Sequence, residues 1–268
     1  LNLFLHITGR RDDGYHNLET LFQLLDGGDQ LTFTPNKTGT ISLSPQVEGV
    51  PESDNLIVRA AKLLQTKSGS QLGCHIELDK RLPMGAGLGG GSSDAAMTLL
   101  GLNRLHDFKL SVDSMHELAA SLGSDIPFFL TTGASRCTGR GEKIEPVSSP
   151  PPMTILLLKP SFNVPTPDAY GRWQQSLELP GVRYAAQEIG GISLANDLER
   201  PVFEKHRFLA ELKQWLLARR ETDAALMSGS GSTVFAILKD GADANALAKS
   251  ARHELDPGLW HWAGRTED

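Results

Sequence analysis

Residues 82–96 read LPMGAGLGGGSSDAA. Five of the seven positions from Gly85 to Gly91 are glycine, and the chain then turns to Ser92, Ser93, Asp94 and an Ala/Leu-rich run. Glycine loses more backbone freedom on folding than any other residue, so such a run is unfavourable unless the backbone must do something side chains would prevent. Three readings compete. Gly85 to Gly90 formally fits GxGxxG, the dinucleotide fingerprint, but Lys80, Arg81 and Pro83 separate the glycines from the preceding strand and no acidic residue follows at the required place. A Walker A loop is excluded because no GK[ST] follows. A plain flexible loop would mix in serine and charge rather than run straight into a helix. The remaining reading is an anion cradle, in which bare backbone N–H groups and the positive end of the following helix meet a phosphate. Ser92 and Ser93 add hydroxyls for a phosphate oxygen or a bound magnesium ion.

The pattern on either side predicts alternating strands and helices. Residues 1–7, 21–25, 30–34, 40–43 and 74–78 read as strands, with RRDDGYHNLET interrupting the first two. A helix over 55–65 places Leu56, Ala60, Leu63 and Leu64 on one face, with Asp54 as its cap and Gly69 beyond its end. Another follows the glycines from Ser92 to Leu105. A third runs from Ser111, a good N-cap, to Leu122, with Gly123 ending it. Strands at 135–138 and 143–147 flank GRGE, a hairpin signal. VSSPPPM (147–153) is the most linker-like composition in the chain, so a boundary is expected there, giving domains 1–148 and 149–268. Beyond it, strands at 154–159, 224–227, 233–238 and 259–263 alternate with helices near 168–177, 207–219 and 242–255. That order suits an α+β sandwich of the split βαβ kind.

Composition sets outer limits. The 268 residues are 40% apolar and carry a formal charge of −6, which argues against a general nucleic-acid binder. No apolar stretch approaches the ~20 residues that span a bilayer. Cys74 and Cys137 are too few for a disulfide framework or a zinc site. The expectation is a reduced, soluble, cytoplasmic protein, a monomer or weak homodimer, with a small-molecule partner, no nucleic acid and no membrane. The chain opens at Leu1, inside an apparent strand, so residues of the natural protein are expected upstream.

The run Pro83, Met84, Gly85, Ala86, Gly87, Leu88, Gly89, Gly90, Gly91, Ser92, Ser93 resembles the P-x-x-x-G-L-G-[GS]-[GS]-S-[SD] phosphate loop of the GHMP small-molecule kinases. The resemblance implies ATP with Mg2+ at this loop. It also implies a two-domain fold, with an N-terminal S5-like α/β domain that binds ATP and substrate and a C-terminal ferredoxin-like domain. The active site would lie in the cleft between them. Two further motifs follow in the family's order. Gly123-Ser124-Asp125-Ile126-Pro127 taken alone is a turn with a capping aspartate; against G-[AS]-D-[IV]-P it implies that Asp125 is the catalytic acid/base. Met227-Ser228-Gly229-Ser230-Gly231-Ser232 taken alone is a hairpin turn; it is similar to the third family motif, which helps close the site, so Gly229 and Ser230 become substrate-side candidates.

The opening LNLFLHITGRRDDGYHNL is similar to the branch of this family that phosphorylates the 2-hydroxyl of a cytidine diphosphate polyol, and so are the DNLIVRAA (54–61), GRGE and VPTP (164–167) segments. Blandly, Tyr15 is a half-buried aromatic and His16 a satisfied surface histidine. The resemblance implies instead that Tyr15 and Tyr170 stack on a cytosine ring, that His16 reads its hydrogen-bonding edge and that Asn2 lies near the polyol. Members also carry a lysine immediately before the first strand, paired with the catalytic aspartate. Lys80, Arg81 and Arg10 are not at that position, so either the lysine lies upstream of Leu1 or the catalytic activity is impaired. Two alternatives stay open: a GHMP kinase for another alcohol, and a nucleotide-binding protein without catalysis.

Overall fold

A computed structural model describes residues 1–268. The chain starts with β1 (Asn2–Arg10), β2 (His16–Gln23), β3 (Gln30–Asn36) and β4 (Ile41–Ser44), followed by α1 (Leu56–Ser68) and β5 (Gly73–Asp79). After the glycine run come α2 (Gly90–Leu105) and α3 (Val112–Leu122), then the hairpin β6 (Ala134–Gly139) and β7 (Lys143–Val147). The remainder is β8 (Thr154–Lys159), α4 (Thr166–Arg172), β9 (Gln187–Ile189), β10 (Ile192–Asn196), α5 (Glu199–Lys205), α6 (Arg207–Leu217), β11 (Thr222–Met227), β12 (Val234–Leu238), α7 (Ala244–Glu254) and β13 (Trp260–Arg265).

These elements form two compact units, neither of them continuous in sequence. The first comprises Leu1–Gly27, Gly85–Leu88 and Thr132–Asp268; the second comprises Gly28–Met84 and Gly89–Thr131. The expected cut after residue 148 falls inside the first unit, because β6 and β7 extend the sheet begun by β1 and β2. The glycine run is itself divided, Gly85–Leu88 lying with the first unit and Gly89 onward with the second.

In the first unit, a sheet ordered β7-β6-β2-β1-β10-β9 accompanies a four-stranded antiparallel sheet ordered β11-β12-β8-β13. The second order is that of a split βαβ pair: β8 crosses through helices to β11, and β12 crosses through α7 to β13. The apolar run Ile155–Leu158 in β8 is fully buried. Leu156 and Leu158 join the helices of one core, and Ile155 and Leu157 join Leu1, Leu3 and Leu194 in another, so the strand has no polar face to show.

The second unit packs α1, α2 and α3 with a small sheet ordered β3-β5-β4. Cys74, Ile76 and Leu78 alternate along β5 into a core shared with Ala60, Ala61 and Leu64 of α1 and Ala95, Ala96 and Leu99 of α2. Removing a leucine such as Leu64 or Leu99 from that core forfeits about 2–5 kcal/mol. The cap of α1 is Asn55 rather than the expected Asp54: its Oδ1 accepts from Ile57 N at 2.9 Å, while Asp54 lies in a preceding 3-10 turn. Ser111 caps α3 as expected, accepting from Ser114 N.

Four other expectations shift. Helix α2 begins at Gly90, two residues before Ser92, because two glycines start its first turn. Helix α4 stops at Arg172, five residues before Leu177, and Ser176 Oγ turns back to Trp173 O. Strand β2 begins at His16, within the charged stretch expected to interrupt it, because β1 and β6 pair with it on either side. The hairpin β9-β10 and helix α5 carry no periodic signal strong enough to be anticipated. Neither cysteine is in a disulfide, and both are buried. No helix is long and apolar enough to cross a membrane.

Candidate active site

Gly85, Gly87 and Gly89 all have left-handed φ values, +64°, +73° and +67°, which only glycine adopts without strain. At Gly87 a side chain is also excluded by space, since a Cβ would lie 2.5 Å from Ser228 O and 2.8 Å from Gly231 O. At Gly89 it would lie 2.8 Å from the Phe129 ring. Three carbonyls of this loop are engaged by the protein: Ala86 O accepts from Thr233 N, Gly87 O from Ser228 Oγ and Gly89 O from Ser93 N. The amide groups from Gly85 to Ser92 donate to no protein acceptor. At Gly90–Ser92 these are the unpaired donors that open α2. Ser92 and Ser93 are half-buried in that turn, whereas Met84 is 44% exposed at the mouth of the loop, beside half-buried Pro83.

Gly85–Leu88 therefore packs against the third motif. The loop after β11 is fixed by residues the sequence reading missed. Asn196, at the end of β10, donates through Nδ2 to Met227 O (2.7 Å) and Gly229 O (2.8 Å). Glu199, 1% exposed, accepts from Met227 N at 2.9 Å and from Lys213 Nζ at 2.6 Å. The stretch NDLE (196–199) held the signal: two polar residues and an acid at a strand-to-helix joint. Ser230 Oγ pairs with Thr166 Oγ1 at 2.9 Å. Asn2 is buried, donates to Thr20 Oγ1 at 2.8 Å, and its Oδ1 would stand 3.4 Å from a Cβ at Gly229. Asn2, Gly87, Gly229 and Ser230 are thus neighbours in the first unit.

At one end of the same unit, the 11–15 turn and the GRGE turn sit side by side, because Leu18 of β2 registers with Gly139 of β6. Tyr15 is 58% exposed, and the Arg140 guanidinium lies over its ring at 4.9 Å. The His16 ring lies 5.4 Å from Tyr170 of α4 and meets Trp173 edge-on at 6.0 Å. Desolvation, and then Arg10, hold the His16 imidazole below its ordinary pKa, so it is neutral at pH 7 with one donor and one acceptor nitrogen. His16 thus lies against Tyr170, while the ring of Tyr15, the other expected stacking residue, faces Arg140. Arg140 and Trp173 are additions that only the fold supplies.

Asp125 belongs to the second unit, ahead of a 3-10 turn over Ile126–Leu130. Ile126, Pro127 and Phe128 are buried and anchor it. The residue keeps solvent-exposed surface, yet the protein around its carboxyl disfavours the ionised form and pushes the pKa above the usual carboxylate range, against the 3.3 Å hydrogen bond from Ser124 Oγ. A carboxylate raised in this way is a better proton acceptor than a free aspartate.

No group of three or more His, Cys, Asp or Glu gathers to cage a metal ion. The donors beside the cradle are the Ser92 and Ser93 hydroxyls, hard oxygens that suit Mg2+ carried mainly on nucleotide phosphates.

The family model described as "GHMP kinases N terminal domain" matches residues 55–133, and "GHMP kinases C terminal" matches residues 184–256. A protein of Burkholderia mallei (strain SAVP1) named 4-diphosphocytidyl-2-C-methyl-D-erythritol kinase is 44% identical over 256 residues, covering 92% of this chain and 85% of its own. The chain belongs to the GHMP kinases. A relative of the same name from Ectopseudomonas mendocina (strain ymp) is 43% identical over 249 residues, covering 93% of this chain and 84% of its own. A crystal structure of 4-(cytidine 5'-diphospho)-2C-methyl-D-erythritol kinase superposes with a TM-score of 0.83 at 35% identity, covering 100% of this chain and 97% of that one. Homoserine kinase from Cytophaga hutchinsonii, at TM-score 0.65 and 16% identity over 94% of this chain and 89% of its own, shares the fold. The protein is a GHMP small-molecule kinase, for which ATP is the phosphoryl donor. The boundary expected at residue 148 falls in the gap between the two matched segments.

Proposed function

We propose that this kinase transfers the γ-phosphoryl group of ATP to the 2-hydroxyl of 4-diphosphocytidyl-2-C-methyl-D-erythritol, a step of non-mevalonate isoprenoid precursor biosynthesis. The observation that carries the nucleotide half is the row of uncommitted amides from Gly85 to Ser92. Oriented N–H groups at a helix start hold phosphate oxygens, and glycine lets them approach. Mg2+ on the phosphates, with a Ser92 or Ser93 hydroxyl as a further ligand, would neutralise charge on the transferring group.

For the acceptor half, Tyr15 and Tyr170 offer aromatic faces to a cytosine ring, and neutral His16 can donate to and accept from its edge. Asn2, Gly229 and Ser230 are assigned to the polyol. In the step itself the 2-hydroxyl oxygen forms a bond to the γ-phosphorus as the bond to the ADP oxygen breaks. Asp125 takes the hydroxyl proton. We assign residues 1–148 to the N-terminal domain of the family and 149–268 to the C-terminal one. We further propose that the enzyme works in the cytoplasm as a monomer or weak homodimer.

The relatives' shared name supports the cytidine substrate, whereas the likeness to homoserine kinase supports the fold alone. ADP release with ATP and Mg2+ in the presence of 4-diphosphocytidyl-2-C-methyl-D-erythritol, homoserine or mevalonate separates the readings. Turnover is expected only with the first. Turnover on either of the others would replace the substrate assignment, and none on any would leave a nucleotide-binding protein.

A further inference from the structure

Beneath the phosphate loop lies a charge cluster to which the proposed reaction gives no role. Asp29, whose side chain is 1% exposed, accepts through Oδ1 from Arg81 N (2.7 Å) and Leu82 N (2.8 Å). Its Oδ2 pairs with Lys80 Nζ. Lys80 also donates to Asp94 Oδ2 at 3.0 Å, and Asp94 stands one turn into α2, buried. A Cβ built on Gly90, the first residue of α2, would lie 3.4 Å from Lys80 Nζ and 3.5 Å from Asp29 Oδ2. One ammonium thus ties the segment entering β3, the segment leaving β5 and the first turns of α2, all within the second unit.

The ammonium is matched by two carboxylates, leaving the cluster at one net negative charge. Such a cluster does not attract phosphate, so its contribution is geometric. Gly89, Gly90 and Gly91 have no side chains to brace the start of α2, and the lysine supplies the brace from below. Desolvation raises the Asp94 carboxyl to about 6 despite the lysine beside it, which fits a group enclosed for structure rather than exposed to ligand.

We infer that Lys80, held by Asp29 and Asp94, is a positioning residue that fixes the direction of the first-turn amides of α2 and so sets the affinity for the ATP phosphates. The inference rests on the reading of Gly85–Ser93 as the phosphate site.

Asp94→Ala tests it. The change removes the tie to α2, keeps the Lys80–Asp29 pair and places alanine, a good helix former, inside a helix. It also makes the neighbourhood one charge more positive, which by charge alone would tighten ATP binding. The clamp predicts the opposite: the KM for ATP rises about tenfold, within the range that misplacement of binding groups produces. The KM for the alcohol should stay within about twofold, since nothing it touches has moved. Asp94→Asn, which keeps an acceptor for Lys80, should recover much of the loss, a rescue that a general loss of stability would not show. An unchanged or lowered KM for ATP in Asp94→Ala would overturn the inference. A wild-type enzyme whose rate does not saturate with ATP would instead overturn the phosphate-site reading beneath it.

Discussion

From Gly85 to Ser92 no amide has a protein acceptor, whereas from Met227 to Thr233 four of the seven amides do. Met227 N is held by Glu199, Ser228 N by Thr233 O, Gly231 N by Ser228 O, and the carbonyls of Met227 and Gly229 by Asn196. The two loops touch backbone to backbone at Gly87, where a Cβ would meet the carbonyls of Ser228 and Gly231. What differs is where the donors go. A loop that ties up part of its donors internally is held in place by them, and one that leaves its donors free ahead of a helix suits an anion.

The contrast can be broken from either side. The largest effect is expected from Glu199→Leu, which strips the Met227–Thr233 loop of its anchor and leaves Lys213 buried without its carboxylate. Removing one partner of such a pair costs about 3–5 kcal/mol of stability, so chemical denaturation should show a large drop. A loss under 1 kcal/mol would mean that the loop after β11 does not depend on this pair.

Gly89→Val attacks the other loop. Strain at its left-handed φ amounts to about 1–3 kcal/mol, with the Phe129 ring in the way of the new Cβ. A folded but weakened protein is expected, with ATP affinity lost. Unchanged ATP binding, read by nucleotide titration, would remove the cradle from this loop.

A finer test concerns protonation. Desolvation raises the Asp125 pKa, so the carboxyl is protonated, and useless as a base, over a wider acidic range than a free aspartate. The rate should fall as pH drops through that raised value and hold above it. An acid limb at the ordinary carboxylate pKa near 4, or one that persists in Asp125→Asn, would take the proton-accepting role from this residue.

How far the sequence could be read follows the range of the interactions involved. The helix after the glycine run and the Ser111 cap were legible because each is specified by neighbours within a few positions, whereas the second and third motifs read alone as turns and gained their roles only by resemblance. β2 was masked at its start by RRDDG, whose charges signal a turn while pairing with β1 and β6 decides the strand. Asn196 and Glu199 hold a loop about thirty residues away, and Asp29 reaches Lys80 across 51 positions, so no local pattern announces either tie. The linker-like VSSPPPM pointed to a domain boundary, but the compact units interleave along the chain, an arrangement that a single cut cannot express. Tyr15, His16 and Tyr170 were legible only by resemblance; the contact of His16 with Tyr170 comes from the fold.

The most direct measurement is a 15N–1H correlation spectrum of the protein titrated with a non-hydrolysable ATP analogue and Mg2+. The amides of Gly87, Gly89, Gly90 and Gly91 should shift downfield as phosphate oxygens accept from them, by more than any amide from Met227 to Ser232. Larger shifts in the Met227–Ser232 loop, or none in either loop at saturating nucleotide, would contradict the phosphate-site reading.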